Sequence, residues 1–180
     1  ASFVGVSDKF FAIVGSMSKT YSMTGWRIGF CVSHRDVIKK MSQFQSHQTG
    51  NPTSISQRAA LSALKSPSEV VVEMRKEYEV RRQFVLQALK STPGFTCAPP
   101  DGAFYAFPNV SQCMGEMGIE SSNDFAKFLI QEARVATVPG SAFGMEGYIR
   151  ISYATSLENL EKAFSRIQTA ITSAPVRNLS

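Results

Sequence analysis

The chain has 180 residues, 43% hydrophobic and 18% charged, a balance that suits a folded globular chain and excludes a disordered or fibrous one. Lysine and arginine outnumber aspartate and glutamate enough to leave a formal charge of +5. The basic residues are dispersed, so no nucleic-acid surface is expected, and a few selected cations suit a small anionic ligand better. No apolar run reaches the roughly 18 residues that a membrane span needs. The start of the sequence lacks the charged head and apolar middle of a secretion signal. The three cysteines, Cys31, Cys97 and Cys113, are too widely spaced for a disulfide framework and read as reduced, buried thiols of a cytoplasmic protein.

In chain order, the apolar run 10–15 reads as a buried strand and Arg27 to Val32 as a second, with a Ser-, Thr- and Gly-rich loop between them. Continuous apolar strands followed by helices predict an α/β sheet covered on both faces. Ser33 with Asp36 reads as a capping box opening a helix that Thr49-Gly50-Asn51-Pro52 ends. A second helix is expected from Ser54 to Lys65. Ser66, Pro67 and Glu69 supply cap, N1 and N3 for a long helix reaching about Leu89. At 1.5 Å per residue it spans about 35 Å, long enough to join two domains, and the boundary is placed within it: 1–75 and 76–180.

Beyond Gly94 a strand at 95–99, a turn and a strand at 103–110 are expected. Ser121 with Asp124 caps a helix to Glu132. A short strand at 135–138, a Gly-rich loop, a strand at 148–154 and a helix capped by Thr155 and Glu158 follow, and a frayed tail ends the chain. This half reads as an α+β layer on one sheet.

Two places carry chemistry. In the first loop, Ser16, Ser18 and Lys19 precede Arg27. Burying an ammonium is costly, so a lysine between apolar strands suggests a nucleophile that bonds a carbonyl. Arg27 offers a planar fork suited to phosphate, and together these groups could hold a phosphorylated aldehyde. The other reading is a solvated loop lysine with an arginine snorkelling from a strand edge. The second place is Arg150, which shares one strand face with Tyr148 and Ser152, while Ile149 and Ile151 take the other. It could clamp a carboxylate, or be a surface arginine paired with an acid. His34 and His47 show no catalytic or metal-ligand spacing, Cys31 reads as core packing, and Gly25 and Gly29 do not form a dinucleotide fingerprint.

The segment SMSKTYSMTGWRIGF resembles the cofactor-lysine segment of class I aminotransferases, the aspartate aminotransferase-like pyridoxal-phosphate enzymes of fold type I. PPDGAFYAFPNV resembles the small-domain hairpin of that family, and VPGSAFG followed by YIRISYATSLENLEKAFSRI its C-terminal signature. The resemblance implies the C-terminal part of the PLP-dependent transferase fold, with part of the large cofactor domain in 1–75 and the small α+β domain in 76–180. It implies pyridoxal 5'-phosphate bound to Lys19 as a Schiff base, its phosphate near Ser16, Ser18 and Arg27, and the substrate α-carboxylate on Arg150. Gly25 and Gly29 match positions where the backbone runs close to the cofactor loop, and Thr49-Gly50-Asn51 resembles a stretch near the dimer-related active site.

The implied reaction moves an amino group from an amino acid, aspartate or glutamate, to a 2-oxo acid in a cytoplasmic homodimer. The aspartate facing the pyridine nitrogen, the tyrosine and asparagine near the ring oxygen and the stacking aromatic of the family have no counterpart here. The expectation is therefore a fragment inactive by itself. The alternatives are another fold type I enzyme, such as a carbon–sulfur lyase, or a non-catalytic structural fragment.

Overall fold

A computed structural model describes residues 11–66 and 69–174. The chain divides into two compact units, Ala1–Val72 and Glu73–Ser180; the sequence reading places its boundary at 75/76.

In the first unit, β1 (Ala12–Ser16) pairs antiparallel with β2 (Gly29–Ser33), Ala12 facing Ser33 and Ser16 facing Gly29. Among the described residues these two strands form a ribbon rather than a doubly covered sheet, and Val14 is 79% exposed. A short apolar run does not reveal by itself whether both of its faces are covered. Helix α1 (Arg35–Gln48) is capped by His34, whose Nδ1 accepts from the Asp36 amide at 3.4 Å. Ser33, the expected cap, instead donates its hydroxyl to the Phe11 carbonyl at 2.7 Å and ties the strand end.

Helix α2 (Ser54–Lys65) has the predicted bounds, with the Thr53 hydroxyl accepting from the Ser56 amide. Its Ala60 packs with Met17 and Met23 of the loop between the strands, Tyr21, Ile28, Ala59 and Ala63 closing around them. Helix α3 (Glu69–Lys90) follows. The expected N1 proline, Pro67, lies outside the described residues; Ser66 is the C-cap of α2.

In the second unit, β3 (Tyr105–Ala106), β4 (Val138–Pro139) and β5 (Ile149–Ser152) form an antiparallel sheet in the order β3-β5-β4. The strand expected at 95–99 is reduced to a single bridge between Thr96 and Asn109, because proline at 99 and 100 removes ladder donors. Helix α4 (Ser111–Met117) was not expected; the Asn109 side chain accepts from the Ser111 amide and starts it, while Gly115 weakens its propensity signal. Helix α5 (Ser122–Phe128) has the predicted Ser121 cap, accepting from the Asp124 amide at 3.1 Å, and widens into a π-helical turn at Leu129–Ala133.

Helix α6 (Leu157–Ser173) is capped by Ser156, which accepts from the Asn159 amide. Thr155 and Glu158 do not form the expected box: the Thr155 hydroxyl accepts from the Asn159 side chain, and Glu158 pairs with Lys162 one turn on. The predicted alternation of β5 is present. Ile149 and Ile151 point into a core shared with Ala106, Phe125, Leu160 and Phe164, while Arg150 faces the other way, half-buried. Burying each large apolar side chain contributes about 2 kcal/mol. The cysteines are free, but only Cys113 is buried; Cys31 and Cys97 are half-buried, which corrects the core reading of Cys31. Among the described residues no helix is long and apolar enough to cross a membrane.

Candidate active site

In the first unit the candidate groups lie on the turn that leaves β1. The Ser16 hydroxyl accepts from the Ser18 amide at 3.1 Å and bends the chain out of the strand. The Tyr21 amide then donates to the Met17 carbonyl and the Ser22 amide to the Lys19 carbonyl, closing two turns around Lys19. Met17, 2% exposed, roots the turn in the small core, and its amide donates to the Ile28 carbonyl at 3.2 Å. The Lys19 side chain is exposed. The loop thus carries it on an anchored turn, not between strands as an ammonium sealed in apolar surroundings.

The returning limb is fixed by α2, whose Ser56 hydroxyl donates to the Trp26 carbonyl at 2.8 Å. Arg27 follows a 3-10 turn (Thr24–Trp26) and is left-handed, with φ 51°. A non-glycine residue holds that backbone at a cost of about 1 kcal/mol. Its Nη1 donates to the Thr24 carbonyl at 2.9 Å, which leaves the rest of the exposed guanidinium fork for a ligand. A Cβ on Gly29 would stand 2.5 Å from the Gly15 carbonyl oxygen, so the strands meet closely there, whereas Gly25 faces open space. By donor chemistry, one primary amine, two hydroxyls, turn amides and a guanidinium fit a phosphorylated aldehyde.

In the second unit the candidate group is Arg150, in the middle strand opposite Val138. Its Cζ lies 4.3 Å from the ring centroid of Tyr105 and 4.7 Å from that of Phe143. Among the described residues its charge has no acidic partner: Glu79 pairs with Arg82, Asp124 with Lys127 and Glu158 with Lys162. The reading of Arg150 as one half of a surface ion pair thus has no support there.

Phe143 ends a 3-10 turn (Gly140–Phe143) pinned to β5, with the Gly140 amide donating to the Tyr148 carbonyl at 2.7 Å. A Cβ at Gly140 would meet the Met145 carbonyl oxygen at 2.1 Å, so the pinning requires glycine. The same loop is tied to α5 by Glu146, whose carboxylate accepts from the Ser122 amide. That bond, with a weaker one from the Gly147 amide, holds the Glu146 carboxyl below the ordinary carboxylate range.

The structure therefore gathers Ser16, Ser18, Lys19 and Arg27 on one loop of the first unit and sets Arg150 on the sheet of the second. Tyr105, Phe143 and Glu146 escaped the sequence reading. Alternation along 105–107 was the available signal for Tyr105; Phe143 and Glu146 lie in a loop with no periodicity.

The aminotransferase class I and II family profile matches residues 1–167. An aspartate aminotransferase of Geobacillus stearothermophilus is 47% identical over 155 residues, which are 86% of this chain and 39% of that protein. The crystal structure of an aspartate aminotransferase from Rhizobium meliloti superposes with a TM-score of 0.88 at 39% identity, over 93% of this chain and 43% of that one. An aromatic aminotransferase from Pyrococcus horikoshii gives a TM-score of 0.85 at 40% identity, over 94% of this chain and 44% of that one. The chain thus spans about two-fifths of the length of the relatives it matches. With the profile covering nearly all of it, and with a sheet-and-helix arrangement shared with solved aminotransferases, this chain belongs to the aminotransferase class I and II family.

Proposed function

We propose that the chain supplies the lysine, phosphate and carboxylate sites of a pyridoxal 5'-phosphate-dependent aminotransferase acting on an amino acid, aspartate or glutamate, and a 2-oxo acid. Residues 1–75 would belong to the large cofactor domain and 76–180 would form the small domain of a cytoplasmic homodimer. When bound, pyridoxal phosphate supplies an aldehyde and an electron-withdrawing ring that delocalises charge from the substrate α-carbon. Lys19 Nζ would hold the aldehyde carbon covalently. With its amine free, Lys19 would be the base that takes and returns the proton at the substrate α-carbon. The Ser16 and Ser18 hydroxyls and the free edge of Arg27 would take the phosphate oxygens. Arg150 would grip the α-carboxylate of the substrate.

The observation that carries this reading is the anchored turn. Met17 and Met23 are buried, while Lys19 and Arg27 stand exposed on the same loop, so a reactive amine and a phosphate fork are presented by a fixed backbone. Borohydride reduction of the cofactor-loaded protein followed by peptide mapping tests it. The label is expected on Lys19 and is lost in Lys19→Ala together with transamination; a label on another lysine refutes it. Because Lys19 and Arg27 are open to solvent and the chain spans about two-fifths of its relatives, the 180 residues by themselves are expected to transaminate at a small fraction of the rate of those relatives. Full turnover by the isolated chain would contradict that expectation.

A further inference from the structure

We propose that Tyr105 and Phe143 are positioning residues that hold Arg150 for carboxylate recognition. Both rings lie within cation–π reach of its guanidinium, at 4.3 and 4.7 Å. This rests on the reading of Arg150 as the carboxylate arginine. A long, flexible side chain loses rotamer freedom when it grips a ligand, and one already held loses less.

The two rings are themselves braced. Tyr105 is fixed in register on the neighbouring strand, opposite Ser152, and its ring contacts that of Phe104 at 4.5 Å. Phe143 meets Phe107 edge-on at 5.8 Å, and Phe107 stacks on Tyr148 at 5.1 Å. The guanidinium is thus flanked by rings instead of paired to a carboxylate. Aromatic faces satisfy its charge without occupying the in-plane N–H donors. Those donors are the ones that a bidentate carboxylate takes. An internal acid at the same place would compete with substrate; the rings do not.

Arginine-detected NMR on the full chain, with succinate as the probe carboxylate, tests this. The Arg150 Hε signal is expected upfield of the other arginines, because it sits near two ring faces, and to move as succinate is added. Tyr105→Leu and Phe143→Leu should each remove part of the upfield shift and weaken succinate binding by about tenfold. Tyr105→Phe, which keeps the ring, should restore both. Phe143 is 47% exposed, so Phe143→Leu carries the test if Tyr105→Leu fails to fold. Leu variants that lose the ring shift but bind succinate as the unmodified chain does would overturn the positioning role, as would an unmodified chain whose Arg150 signal ignores succinate. Saturation-transfer on succinate with Arg150→Gln separates the two claims. Unchanged binding there refutes the carboxylate role of Arg150 itself, whereas lost binding in Arg150→Gln with intact binding in the Leu variants refutes the ring clamp alone.

Discussion

At the scale of single residues, the loop chemistry depends on a backbone contact that only glycine allows. Gly29 lies opposite Ser16 in the ribbon, and its missing side chain leaves room for the Gly15 carbonyl. Gly29→Ala places a carbon 2.5 Å from a backbone oxygen, which cannot move without breaking the register. The substitution is expected to destabilise the chain by about 2 kcal/mol, read as a lower urea midpoint; an unchanged midpoint would show that the ribbon can shift to make room. Lys19, Arg27 and Arg150 were candidates in the sequence because residue type and motif mark them directly. Tyr105 and Phe143 were not, because what marks them is the Arg150 guanidinium that the fold brings beside them, and alternation gives Tyr105 a face but no neighbour. The burial expected of Cys31 failed for a related reason: it lies on a ribbon face whose cover is not written in the strand itself.

At the scale of elements, the helices were legible to within a residue or two wherever an apolar period ran long enough, as in α2 and α6. The caps shifted by one position at His34 and Ser156 because two adjacent residues could each serve, and only the strand end or the Asn159 contact decides between them. The loop 139–147 was unreadable as structure, yet it is fastened by Glu146. That carboxyl sits below its ordinary value near 4.5 through the Ser122 and Gly147 amides, so the stability it contributes is complete above that value and fades as pH falls through the lower folded one. Glu146→Gln is therefore expected to be less stable than the unmodified chain at neutral pH, with the gap closing in acid below about pH 4.5. Thermal midpoints measured from pH 7 down to pH 3 check this, and a gap that stays constant would remove the carboxylate from the account. Asp124, held low by Lys127 and Ser121, keeps some acid dependence in both proteins.

At the scale of the molecule, burial is uneven. Among the described residues the second unit has sixteen buried members in its core cluster and the first has three. Limited proteolysis is accordingly expected to leave a resistant piece beginning near Glu73; survival of the first unit in its place would reverse the ranking. The ribbon of the first unit has a practical consequence for the biochemist. Val14, Phe30 and Val32 are 79%, 47% and 51% exposed on β1 and β2, and greasy strand surface of this kind attracts its own copies. Static light scattering of the purified chain should yield a negative second virial coefficient that Val14→Thr makes less negative, so dilute storage and mild surfactant will govern how much usable material any assay receives.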